Sequence, residues 1–185
     1  MRDSQRSKVY KAERYAAGPE FFLTDLTPIG MRLPEMADLE QFVKNVMDRG
    51  RLVQRYGVRA SMAPVTVSDG RRRRRACAYG TREIGMPRAT RTQWVVLHEL
   101  AHVVCARVES GMRYDERTPG HGWRFAEIYL YLVKTHLGQD RHDALKAAFK
   151  KHHVRFRRPV RRIMTPEQRA ACRARLALAR AAKAA

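Results

Sequence analysis

The 185-residue sequence predicts an α+β fold, and three features carry that expectation. Two stretches are apolar at helical spacing nearly all round, which marks helices buried against one another. Between residues 53 and 87, short runs of β-forming residues alternate with turn residues, which reads as a small antiparallel or mixed sheet. Near the C-terminus an Ala/Arg/Leu segment follows a helix-start signal, which reads as a basic helix. The length suits one domain, over residues 1–155, with residues 156–185 as a basic helical tail.

Taken in order, residues 3–16 suit a short helix capped by Asp3 or Ser4, with Val9, Tyr10 and Tyr15 as apolar contacts. Gly18-Pro19, Thr27-Pro28 and Gly30 interrupt the chain. Pro34 opens a second helix through Leu39, Phe42, Val43, Val46 and Met47, with Gly50 past its end. Residues 53–60 and 64–67 are strand candidates. Ser68-Asp69-Gly70 reads as a hairpin turn that returns the chain through Ala76, Cys77, Ala78 and Tyr79. Residues 82–87 form a further short strand ahead of a long helix.

That helix carries the chemistry. Within the apolar run Trp94-Val95-Val96-Leu97 and Leu100-Ala101 through Val103-Val104 sits His98-Glu99-Leu100-Ala101-His102, an H-E-x-x-H pattern. Residues four apart share one helical face, so His98 and His102 can present two imidazoles to one ion. Zinc takes imidazole nitrogen at about 2.0–2.1 Å and keeps an open position in catalytic sites. Glu99, on the adjoining flank, is placed to act as general base toward a water without ligating. Burying three such polar groups in an apolar helix is costly unless something pairs them, and a metal does so.

A third ligand is needed. The metzincin extension fails, because Cys105 and Val108 stand where it requires Gly and His. The candidates are Glu109, Asp115, Glu116, His121, Glu127 and His136. Gly120-His121-Gly122 stands out, since flanking glycines allow close backbone approach at the start of a helix. Beyond it Phe125, Ile128, Tyr129, Leu132 and Val133 recur at helical spacing, predicting a second buried helix packed on the first. His136 lies about 22 Å further along that helix and cannot share the ion. Glu127 is the alternative to His121, as in sites with two His and one Glu.

His98-Glu99-x-x-His102, with Gly120-His121-Gly122-x-x-Phe125 beginning eighteen positions after His102, resembles the SprT-like zinc metallopeptidases. It is similar also to a family of small HExxH metallohydrolases of actinobacteria and their phages, whose start the segment from Arg2 to Tyr10 resembles. The resemblance spans residues 1–150 loosely and 94–137 specifically. It implies a zincin-like single domain with His98, His102 and His121 as zinc ligands and Glu99 as catalytic base. The chain departs from SprT proteins in having no closely spaced Cys pair for a zinc ribbon.

The expected function is a zinc-dependent hydrolase, foremost a peptidase acting on a peptide or protein substrate. Tyr114 and Arg124 are the candidate oxyanion-stabilising residues, and the strands beside the cleft are the expected place for β-type peptide docking. The alternatives are a nucleic-acid-associated protein with a structural or inactive zinc site, and a non-peptide zinc hydrolase.

Charge bears on the partner. The net charge is +20, and residues 150–185 hold twelve Lys or Arg against one acid, Glu167. Thr165-Pro166-Glu167-Gln168 reads as a cap with Pro at the first helical position. This tail and the five arginines at 71–75 suit non-specific contacts to nucleic-acid phosphates. Abundant Ala and an Arg-for-Lys bias also fit a merely solvated basic surface, and only Phe156 offers a stacking ring near the tail. His142, His152 and His153 read as surface residues. Cys77, Cys105 and Cys172 are odd in number and widely spaced, which predicts a reducing, cytoplasmic setting, with Cys105 a small core residue rather than a ligand. The charged N-terminus reads as no signal peptide, and the apolar runs are too short to span a bilayer, so no membrane association is expected.

Overall fold

The computed structural model describes residues 3–21, 26–48, 50–57, 63–71, 73–158 and 165–184. Along the chain run α1 (Arg6–Ala17), α2 (Met36–Met47), α3 (Gly50–Tyr56), β1 (Thr66–Ser68), β2 (Cys77–Tyr79), β3 (Glu83–Gly85), α4 (Gln93–Glu109), α5 (Trp123–Leu137), α6 (Gln139–Lys151) and α7 (Pro166–Ala184). The fold is α+β, with helices dominating and one small mixed sheet.

Helix α4 lies at the centre because almost none of its surface is polar. Trp94, Val96, Leu97, Leu100, Ala101 and Val103 are fully buried. Thr92 starts it: the side-chain oxygen accepts from the Val95 amide at 3.4 Å, and the hydroxyl donates to the Phe21 carbonyl at 3.0 Å. Helix α5 packs along it through Phe125, Ile128, Tyr129 and Leu132, all buried. Full burial of each such side chain is worth about 1.5–3 kcal/mol, so this pair anchors the domain.

Helix α6 is not among the expected elements, His142, His152 and His153 being read only as surface residues. Gly138, at φ 95°, breaks α5, and the chain re-enters the core through Leu145, Ala148 and Phe149. Helix α1 lies across α6 and covers it with Val9 and Ala12. Asp3 and Ser4, the expected caps, lie ahead of the N-cap residue Gln5, and Asp3 Oδ1 accepts from the Arg6 amide at 3.1 Å. Tyr15, expected to be an apolar contact, is instead 62% exposed, with the Lys151 ammonium 3.8 Å over its ring.

Two strand expectations are corrected. Residues 50–56 are helical, because Leu52 and Tyr56 are spaced four apart and both turn inward, a helical rather than an alternating period. Residues 58–60 of that strand candidate lie outside the described residues. The hairpin across Ser68-Asp69-Gly70 does not form. Strand β1 pairs parallel with β3, and β3 pairs antiparallel with β2, in the order β1-β3-β2. The hairpin therefore joins β2 to β3 through Gly80, at φ 62°. Gly70 instead packs on Pro87, where a Cβ would sit 2.7 Å from the proline ring. The strand expected over 82–87 is β3, whose Ile84 is buried under α4.

In α7 every described side chain is exposed. The cap expected there is present: Thr165 Oγ1 accepts from the Gln168 amide at 3.3 Å, and Gln168 Oε1 accepts from the Thr165 amide at 3.1 Å. Among the described residues no helix is long and apolar enough to cross a membrane.

Candidate metal centre

Helix α4 presents His98 and His102 from consecutive turns, with Nε2 atoms 3.2 Å apart. Two nitrogens bound to one tetrahedral ion at 2.0–2.1 Å lie about 3.3 Å apart, so this spacing suits a shared metal. His121 arrives from the loop ahead of α5, its ring centroid 4.7 Å from that of His102. One ligand atom from each of the three lies within 4.8 Å of the others, a group able to hold a metal ion. The loop is tight at Gly122, whose amide donates to the Pro119 carbonyl at 2.7 Å. A Cβ there would come within 2.8 Å of Thr118 Cβ, so glycine is required. At Gly120 a Cβ would meet Asp3 only at ordinary contact distance.

Two carboxylates stand behind this trio, and both come from the N-terminal segment. Glu13, fully buried, hydrogen-bonds His98 Nδ1. Asp3 Oδ2 accepts from His121 Nδ1 at 2.6 Å and from the His121 amide at 3.2 Å. A carboxylate on Nδ1 fixes the ring and leaves the Nε2 lone pair facing inward, the arrangement that supports metal-binding imidazoles. The consequence is visible at His121, whose Nε2 is buried without a hydrogen-bond partner. That orphaned acceptor, beside the paired Nε2 atoms of α4, shows that these residues fit a metal ion.

The electrostatics agree. Burial pushes the His121 imidazole down to about 4, with the His98 charge adding to it and Asp3 offsetting part. Burial, followed by the charges of His98 and His121, holds His102 well below the usual histidine range. Both rings are neutral at pH 7, as ligation requires. Burial opposes a charge on His98, but the Glu13 carboxylate outweighs it and raises that pKa. Three adjacent imidazoles cannot all be cations.

A cleft of about 380 Å³ opens onto Glu99, His102 and His121 between α1 and β2. Glu99 is nearly buried; desolvation raises its carboxyl, while His98 and the Ala78 amide of β2 pull it back. Tyr10 leans over the trio, its ring stacked on His98 at 5.4 Å between centroids and tilted toward His121 at 5.3 Å. Arg6 hydrogen-bonds the Tyr10 hydroxyl, and burial raises that phenol. Asp3, just ahead of α1, and Arg6, Tyr10 and Glu13 on one face of α1 thus follow one another at spacings of three, four and three.

Among the described residues, the remaining candidates do not join the trio. Glu127 pairs with Arg55 at 3.2 Å, Glu109 accepts from Thr118 at 2.7 Å, and Glu116 closes a turn with the Arg113 amide. His136 packs edge-on to Phe42. The side chain of Asp115 lies outside the described residues. Tyr114 is 72% exposed and Arg124 is held by Glu109 and Met112, so neither expected oxyanion residue reaches the cleft. Cys105 is buried with its thiol pushed up to about 12 by desolvation, consistent with a core role. His152, read as a surface residue, has a buried Nε2.

The roles of Glu13 and Arg6 are not among the expectations from sequence, where Tyr10 is an apolar contact and Asp3 a cap alone. The available signal was their recurrence on one helical face beside apolar Val9 and Ala12. No family model matches this chain, and no curated protein or solved structure is significantly similar to it.

Proposed function

We propose that this chain is a zinc-dependent hydrolase of zincin-like architecture, foremost a peptidase, with His98, His102 and His121 holding the ion and Glu99 as general base. The observation that carries this reading is a trio of imidazoles, two of them backed by carboxylates, beside a buried glutamate at the floor of a cleft. Among the described residues no fourth side chain joins the group, which favours an open catalytic site over a closed structural one. Zinc, when bound, polarises the scissile carbonyl and brings the pKa of its water to about 7.

The chain's own residues supply the rest. Glu99 accepts a proton from the water as its oxygen attacks the carbonyl carbon, and returns that proton to the amine as the C–N bond breaks. The raised Glu99 pKa brings it toward the range where a carboxylate both takes and gives a proton at neutral pH. Tyr10, kept protonated and braced by Arg6, is the donor placed to stabilise the developing oxyanion, in the role expected of Tyr114 or Arg124. Strand β2 is an edge of the described sheet and borders the cleft, so it offers backbone groups to an extended peptide. Three free cysteines fit a cytoplasmic setting.

Glu99→Gln tests the assignment. It retains zinc and fold and loses hydrolysis, because an amide cannot accept the proton. Equal turnover by both proteins would remove the reading.

A further inference from the structure

On the other side of Glu99 from His102, a second hollow of about 400 Å³ continues the cleft. Tyr10, Ala76 and Glu99 border both hollows, so an extended chain passing over Glu99 enters each in turn. The two ends differ in chemistry. The first hollow runs out among Gly80, Cys105, Ala106, Pro119 and Gly120, small or uncharged residues, with one cation, Arg6, and one further acid, Glu109. The second is flanked by Lys11 and Arg14 of α1 on one wall and by Arg74 and Arg75, just ahead of β2, on the other. Its floor is apolar, with Phe21 and Val95 buried there. Glu99 is the only acid among its described lining residues.

On a chain of net charge +20, basic residues by themselves say little. The informative point is their arrangement, with four cations from two separate elements lining one end of the cleft and a single cation, Arg6, which hydrogen-bonds the Tyr10 hydroxyl, lining the other. A floor of that kind takes an aliphatic stem, and Arg side chains above it match a carboxylate with paired hydrogen bonds.

Resting on the peptidase reading, we propose that this second hollow is a substrate subsite for an acidic side chain, so that the protein selects peptides with Asp or Glu on one side of the scissile bond. The recognising residues are Lys11, Arg74 and Arg75, all exposed at the rim, with Arg14 beside them.

The test uses full-length, zinc-loaded Glu99→Gln protein and two fluorescent Ala-rich octapeptides that differ only in one Glu or Gln, read by anisotropy near physiological salt. The Glu peptide binds about tenfold more tightly. Arg74→Glu/Arg75→Glu abolishes that preference. Arg157→Glu/Arg158→Glu, an equal change in net charge at a different surface hollow, leaves it intact. Wild-type cleavage of a proteome-derived peptide library then shows Asp and Glu enriched at one position on one side of the cut. Equal affinity for the two peptides, or loss of the preference in both double variants, overturns the proposal. So does an oligonucleotide that binds only when Arg74 and Arg75 are present while the two peptides bind alike, since this assigns the hollow to phosphate. If the Glu preference holds and depends on Arg74 and Arg75 but no peptide is cleaved by wild type, the subsite survives and the peptidase reading fails.

Discussion

At the scale of single residues, the groups proposed to hold the ion, His98, His102 and His121, are distinct from those that orient them, Glu13 and Asp3. His98→Ala, His102→Ala and His121→Ala each lose most of the zinc from a protein that otherwise carries about one ion per chain, measured by elemental analysis. Glu127→Ala, which breaks only the contact to Arg55, keeps it. Glu13→Gln and Asp3→Asn weaken zinc binding about 10–100-fold without abolishing it, because the rings remain and only their orientation and basicity suffer. A competition titration with a chromogenic chelator reads this, and unchanged affinity in both variants would reduce these carboxylates to packing. The trio was legible in the sequence because helical spacing and flanking glycines are local signals. Glu13 and Asp3 were not, since their partners lie 85 and 118 residues away and are brought into contact only when α1 folds over the cleft.

At the scale of elements, the helix pair α4–α5 could be read from its unbroken apolar pattern, whereas for the sheet only its presence could be read, and not its strand order. Strands of three residues carry too little alternation to specify register, and their pairing is set by Gly80 and by the packing of Gly70 on Pro87. The same limit turned the helical Leu52–Tyr56 spacing into an expected strand. One junction makes a pH prediction. Glu20, in the turn after α1, accepts from Arg141 of α6 at 2.8 Å through both carboxylate oxygens, and from Trp94 Nε1 of α4 at 2.8 Å. The Arg141 hydrogen bonds, with Trp94 adding to them, hold the Glu20 pKa below the usual carboxylate value against the effect of burial. A depressed folded-state pKa means that this stabilisation is present above the unfolded value and is lost as pH falls through the folded one. Glu20→Gln therefore unfolds more easily at pH 7, by roughly 1–2 kcal/mol given the partial exposure of Arg141. Denaturation curves of the two proteins converge at acidic pH, and a pH-independent gap would contradict the ion-pair account.

At the scale of the whole molecule, the basic tail and the metal centre are separate parts. Helix α7 exposes Arg169, Arg173, Arg175 and Arg180 and adds nothing to the metal centre. Deleting residues 160–185 is expected to leave zinc content and melting temperature unchanged. If the tail binds nucleic-acid phosphates, DNA affinity falls and the slope of log affinity against log salt flattens, because fewer counterions are released. Identical slopes for full-length and truncated protein would make the tail a solvated surface. The central claim is the open three-histidine zinc centre, and X-ray absorption on the zinc-loaded protein tests it most directly. The account predicts three imidazole nitrogens at about 2.0–2.1 Å, one oxygen from water and no sulfur. A fourth protein ligand closing the site, or fewer than three imidazoles, would contradict it.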